Sequence, residues 1–298
     1  MQNWYVAIFI SAAFIILSLL NITSNSLLIY GLHESNQLKN VSNKLIMSMS
    51  ISDLCIGVLV LPVQALHALN EITLDAWIMK AIYILAHFVT LNSGLLLICI
   101  AVDRYIHITK PRLYQSDSNG RRLVVLVMGC FVISSVFTIT HILLDSFWQY
   151  VAIAFLNISL MSGLTILYTK MYRKLQQHQI NAQTRLQQIN NNGLSTNNRR
   201  VVNGDSQAGQ LSAVRTIRLV LVAIFICYLP FTAIALVDKF YEFELRAKPG
   251  ETFGTLYATC TFLIEGSTVV NSVIIIYGNT RCKQAILSLF RSTVVPRD

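Results

Sequence analysis

Seven stretches of this chain stay apolar for longer than a soluble core helix needs, at about 4–30, 42–66, 77–103, 122–144, 148–170, 214–237 and 255–277. A helix rises about 1.5 Å per residue, so about 20 apolar residues cross the hydrocarbon of a bilayer. Each run therefore predicts one spanning helix. The stretch at about 279–291 is different: Ala285, Ile286, Leu287, Leu289 and Phe290 are interleaved with Arg281, Lys283 and Arg291. That pattern predicts an amphipathic helix lying along the membrane surface. The predicted fold class is all-α, a seven-transmembrane helix bundle with a short surface helix, in one domain over 1–298.

The connections are uneven. Only about Asp145 to Phe147 separate the fourth and fifth runs, which predicts a tight turn. Between the fifth and sixth runs, positions 176–210 hold 15 Asn or Gln with Gly193, Gly204 and Gly209. So polar a segment cannot bury enough apolar surface to fold alone, and disorder is expected over about 176–212.

Composition narrows the solvent. The chain is 54% hydrophobic and 12% charged, with mean hydropathy +0.56, where a soluble domain carries about 25% charged residues. Residues 1–32 contain no Asp, Glu, Lys or Arg, which favours a spanning signal anchor over a cleaved signal peptide. Basic residues then set the orientation. With the N-terminus outside and the C-terminus cytoplasmic, 19 of the 23 Lys and Arg fall on the inner side, and the outer side keeps four bases against seven acids. The net charge of +9 is accounted for as topology and as a match to anionic inner-leaflet lipid, not as nucleic-acid binding. The expected location is the plasma membrane.

None of the six cysteines lies in an outer loop, so no structural disulfide is expected. Cys282, beside the surface helix, could carry a palmitoyl group or remain a thiol. The sequons at Asn21, Asn40 and Asn157 fall in spans or on the inner side, away from glycosylation.

Ionisable groups inside a span are costly and tend to be functional. Three acids qualify: Asp53 in the second run with Pro62 after it, Asp103 at the inner end of the third, and Glu265 in the seventh. Asp103 begins Asp103-Arg104-Tyr105, followed by Pro111 and Tyr114. The sixth run contains Cys227-Tyr228-Leu229-Pro230, where the proline interrupts the helical hydrogen bonds.

With Asn25 in the first span, Ser52-Asp53-Leu54 in the second, Asp103-Arg104-Tyr105 closing the third and Cys-Tyr-Leu-Pro in the sixth, the chain resembles the class A (rhodopsin-like) G-protein-coupled receptors over nearly its whole length. The resemblance implies a receptor, not an enzyme. Such a receptor takes an extracellular ligand within the bundle and activates a heterotrimeric G protein through Arg104, with Asp103 holding that guanidinium in the resting state. It also assigns Tyr105, Pro111, Tyr114, Tyr168 on the fifth helix and Pro230 to the switch. Where the family often adds an acid on the sixth helix to complete the lock, this chain has Gln210, which implies ligand-independent signalling. Asp53, Ser93, Asn25 and Asn271 resemble the family's mid-membrane sodium site, and an oxygen set with one carboxylate suits a hard cation. No other cofactor is implied.

The seventh run departs from the pattern: Asn271-Ser272-Val273-Ile274-Ile275 stands where Asn-Pro-x-x-Tyr is usual, and Tyr277 is the nearest tyrosine that could substitute. Tyr228 and Phe131 replace the usual tryptophans of the sixth and fourth helices. The outer-cysteine position at the head of the third helix is Met79. With the very short second outer loop, this is similar to melanocortin receptors and some lipid receptors.

By the resemblance, the ligand pocket includes Glu265, His87, Ala86, Thr90, Asn157, Tyr228, Phe231 and Phe262, with Phe88 near its wall. Ala86 stands where amine receptors carry an aspartate, and Glu265 where visual pigments carry the retinal lysine. Glu265 then needs a cation from the ligand, a histidine or hydroxyl partner, or a proton. Small polar molecules, lipids and peptides all remain candidate ligands. A transporter or channel is the competing class, but the halves of the chain show no repeat. The spans offer no nucleophile–base or metal-ligand pair that an intramembrane enzyme would need.

Overall fold

A computed structural model describes residues 4–69, 76–109, 119–143, 146–191, 225–234 and 251–294, together with 219, 222, 223 and 237. Helix α1 is Trp4–Glu34, and α2 runs Val41–Cys55, a π-helical turn Ile56–Val60, and Leu61–Ala68. Helices α3, α4 and α5 are Ala76–Thr109, Asn119–Leu143 and Ser146–Asn191. The apolar helix Phe225–Ile234 is α6, and Glu251–Gly278 and Thr280–Val294 are α7 and α8. No strand occurs among the described residues. The protein is an all-α, multi-pass helical bundle.

Five described helices are long and apolar enough to cross a membrane: Trp4–Glu34, Val41–Ala68, Trp77–Thr109, Arg121–Thr140 and Ala258–Gly278. Their burial pattern is that of a lipid-solvated bundle. In α1 the buried positions Ser11, Phe14, Ser18, Asn21, Asn25, Leu28 and Leu32 recur every three to four residues, one helical face. Ile8, Ile15, Ile16, Leu19 and Leu20 cover the exposed face. In α4 the exposed set includes Val124, Val125, Met128, Val132, Val136 and Ile139. Apolar surface of this extent on the outside, with hydroxyls and amides inside, requires a non-aqueous surround.

The π turn in α2 has a local cause. Pro62 donates no backbone hydrogen bond, and its ring excludes the carbonyl four residues earlier, so the helix widens just before it. Ser18 Oγ donates to the Gly57 carbonyl in that turn at 2.7 Å. A side chain at Gly57 would collide with Asn21 Oδ1, so this glycine sets the closeness of α1 and α2.

Two apolar clusters stack along the bundle. One holds Phe14, Leu17, Ile56, Val60, Leu61 and Val89; the other holds Leu28, Met49, Leu96, Tyr168, Ile275 and Cys282. Between them, on four helices, lies a polar layer: Asn21 and Asn25 on α1, Asp53 on α2, Asn92 and Ser93 on α3, and Asn271 on α7, all buried.

One expectation changes. Residues 176–191, expected to be disordered, continue α5 as helix. Gln, Leu, Ala and Arg are good helix formers, no Gly or Pro interrupts 164–192, and the transmembrane part of α5 has already met the cost of nucleation. The rest of that segment, Gln210 included, lies outside the described residues. Cys282 is fully buried against Gly31 of α1, where any side chain would strike its sulfur, and burial pushes its thiol up to about 11. It packs α8 onto α1, and lipidation would first require lifting α8.

Candidate functional site

A cavity of about 1130 Å³ opens among α1, α2, α3, α5, α6 and α7. Seven of the eight predicted ligand residues line it: Ala86, His87, Thr90, Asn157, Tyr228, Phe231 and Glu265. Phe262 is not among them. It turns towards α1 and packs edge-on against Phe14, ring centroids 5.8 Å apart. Phe88 packs edge-on against Phe131 at 5.2 Å. Both aromatics therefore support the wall without forming it. Leu160 and Leu164 of α5, Ile264 of α7 and Phe14 supply much of the apolar surface, and the cavity descends to Ser93 and Asn271.

The polar groups in this cavity are unevenly satisfied. Tyr228 hydrogen-bonds with Ser267, and Asn157 Nδ2 donates to Thr232 Oγ1 at 3.4 Å, tying α5 to α6. The His87 ring stacks on Tyr83 at 5.7 Å. Glu265, 4% exposed, keeps Oε2 without a hydrogen-bond partner, as does Gln64 Oε1 on α2. A buried carboxylate oxygen without a partner costs several kcal/mol, roughly, unless something completes it. The wall is thus built to accept hydrogen bonds or positive charge.

Glu265 is held from behind. Thr268 Oγ1 donates to its backbone carbonyl at 2.6 Å, and Asn21 Nδ2 of α1 donates to Thr268. Gln64 and Thr268 carry no motif in the sequence, and Asn21 stands out there only as a sequon. Asn21 lies one turn before Asn25, and Thr268 one turn before Asn271, so helical spacing from the recognised residues was the available signal.

Below the cavity the polar layer carries further unmet acceptors: Asn25 Oδ1, both Asp53 carboxylate oxygens, Asn92 Oδ1 and Asn271 Oδ1. Ser93 faces Asp53, and Asp53 and Glu265 lie within electrostatic reach of one another. Inward-facing oxygens with a single carboxylate among the predicted four residues form a donor set that suits a hard monovalent cation.

At the other end of α3, Asp103 is fully buried. Arg122 of α4 pairs with its Oδ1 at 3.1 Å, and Ser42 of α2 donates to its Oδ2. This carboxylate, which by the resemblance holds Arg104 in the resting state, thus joins α2, α3 and α4. Arg104 gives one donor to Asn43 Oδ1 of α2 at 3.2 Å. Tyr105 packs against the apolar cluster at this end, and Tyr168 is buried within electrostatic reach of Arg104. Tyr277 does not face the bundle: it is 70% exposed, with Lys283 Nζ 5.3 Å from its ring centre. Pro230 lies within the helical stretch of α6, while Pro111, Tyr114 and Gln210 lie outside the described residues.

The family model for "7 transmembrane receptor (rhodopsin family)" matches residues 24–151, from the middle of α1 to the start of α5. Octopamine receptor 1 of Lymnaea stagnalis is 29% identical over 119 residues, 40% of this chain and 19% of that protein. Muscarinic acetylcholine receptor M3 of Pongo pygmaeus is 33% identical over 154 residues, 49% of this chain and 24% of the relative. The same receptor of Sus scrofa is 31% identical over 153 residues. The matches thus span about a fifth to a quarter of those relatives' own length. They are receptors, not enzymes. Over residues 24–151, which carry Asp53 and the Asp103-Arg104-Tyr105 corner, this chain is similar to the rhodopsin-like family of seven-transmembrane receptors.

Proposed function

We propose that the protein is a plasma-membrane G-protein-coupled receptor with its N-terminus outside and C-terminus cytoplasmic. A ligand enters the cavity from the extracellular side and shifts a two-state bundle, so that a heterotrimeric G protein engages Arg104 at the inner end of α3. The observation that carries the ligand half is Glu265: a carboxylate 4% exposed, with an unpartnered oxygen, in the wall of a largely apolar cavity. Such a group favours a ligand with a cationic head and an apolar body. Two relatives are named for octopamine and for acetylcholine, which supports the same chemistry. Ala86 leaves α3 without the usual amine partner, so Glu265 on α7 takes that role here. In cells, Arg104→Ala abolishes second-messenger output and leaves ion flux unchanged. An ion flux that needs Asp53 and ignores Arg104 identifies a channel or transporter.

Asp53, Ser93, Asn25 and Asn271 would hold a sodium ion, which supplies positive charge that stabilises the resting bundle. The unmet oxygens of Asp53, Asn25 and Asn271 are the supporting observation. Agonist affinity then falls about tenfold as sodium replaces a bulky organic cation, a typical coupling between sites. Asp53→Asn flattens that dependence; an unchanged dependence removes these residues from the site.

A further inference from the structure

We infer that Arg104 is held in its resting position by a relay of three side-chain amides, Asn43, Gln37 and Asn279, that ends at the first turn of α8. The inference rests on the receptor reading for what Arg104 does once released, and on geometry for how it is held. Arg104 donates to Asn43 Oδ1 at 3.2 Å. Asn43 Nδ2 donates to the Gln37 backbone carbonyl at 3.0 Å and to Gln37 Oε1 at 3.3 Å. Gln37 Nε2 donates to Asn279 Oδ1 at 3.0 Å, and Asn279 Nδ2 donates back to Gln37 Oε1 at 2.6 Å. The backbone N–H of Cys282 donates to Asn279 Oδ1 at 3.2 Å, which makes Asn279 the N-cap of α8.

The chemistry fixes the direction of this chain. A guanidinium has only donors, so Asn43 must turn its oxygen to Arg104 and its nitrogen to Gln37. Gln37 in turn offers its oxygen to Asn43 and its nitrogen to Asn279. Every amide is therefore oriented by the cation at one end, and each polarised donor strengthens the next. Gln37 follows α1 and Asn43 opens α2, six residues on, while Arg104 closes α3 and Asn279 lies between α7 and α8, 61 and 242 residues away from their partners. Asn43 is nearly fully buried, so water competes weakly for its amide. Tyr277, the nearest candidate for the tyrosine that α7 lacks, points outward. The relay gives α7 and α8 a connection to Arg104 by another route, through neutral hydrogen bonds that a moderate stimulus can break.

Arg104 must leave Asn43 to meet a G protein, so cutting the relay anywhere raises ligand-independent nucleotide exchange. Cys282 reports on its far end independently of any G protein, because it is sealed between α8 and Gly31. The experiment uses the full chain in lipid nanodiscs. It measures basal nucleotide exchange on added heterotrimer, and N-ethylmaleimide modification of Cys282 by peptide mass spectrometry. Gln37→Ala, Asn43→Ala and Asn279→Ser each raise basal exchange about fivefold, the equivalent of one net hydrogen bond. Asn279→Ser retains an N-cap oxygen but is too short to reach Gln37, so α8 stays folded. Asn43→Ala, which removes no α8 contact of its own, speeds Cys282 modification about fivefold. Gln37→Ala combined with Asn43→Ala exceeds neither single change, as for two links of one chain. Gln37→Glu keeps the Oε1 acceptor but puts an oxygen in place of the Nε2 donor to Asn279 Oδ1, so it cuts that link and raises basal exchange as Gln37→Ala does. Unchanged Cys282 modification in Asn43→Ala overturns the relay and leaves the receptor reading intact, provided that Arg104→Ala is silent. Modification that responds while no form, wild type included, drives exchange overturns the receptor reading and with it the relay's role in signalling.

Discussion

Glu265→Gln lowers the potency of a cationic agonist by about 100-fold, and that of its uncharged carbon isostere by less than about threefold. The asymmetry follows from burial. Glutamine has nearly the shape of glutamate, and Thr268 still donates to the backbone carbonyl at this position, so the wall keeps its packing. What disappears is the charge, in a place where Glu265 is 4% exposed and the surrounding side chains are mostly apolar. Losing one member of a desolvated charge pair costs about 2–5 kcal/mol, because the remaining charge is left without compensation. Concentration–response curves for a protonated amine and its isostere on both receptors measure it. Equal losses for the two ligands would make Glu265 a structural acid, and no loss would place the ligand elsewhere.

Asp103→Ala destabilises the purified protein by about 3 kcal/mol, the usual cost of removing one partner of a buried ion pair. Asp103 is fully buried and is the point where α2, α3 and α4 meet through Ser42 and Arg122. Its removal takes from the Arg122 guanidinium its carboxylate partner at 3.1 Å. Pairing the change with Arg122→Met recovers most of the loss, since neither charge then remains. Thermal unfolding of the two single variants and the double variant in one detergent measures the coupling. Additive losses would show that Arg122 contributes nothing through Asp103.

The spans were legible because apolar run length is a strong signal and the polar exceptions stand out against it. Asn25, Asp53, Ser93 and Asn271 were legible for the same reason, and the structure gathers them in one layer. The extension of α5 through Asn191 was hidden because polarity was weighed against helix propensity in a stretch that carries both signals. Phe262 was placed in the pocket by its position on α7, but a rotation of a few tens of degrees about the helix axis decides between the cavity and Phe14. Gln37, Asn43 and Asn279 could not be connected beforehand: each is an ordinary polar residue at a helix end, and only the packing of α1, α2 and α8 brings them together.

The central claim is tested most directly by guanine-nucleotide exchange on each class of heterotrimeric G protein, driven by the purified chain in lipid nanodiscs. At least one class exchanges faster than over empty discs, and Arg104→Ala returns that rate to the empty-disc value. Exchange that is the same with and without the Arg104 guanidinium, in a protein shown to be folded by its thermal transition, would contradict it.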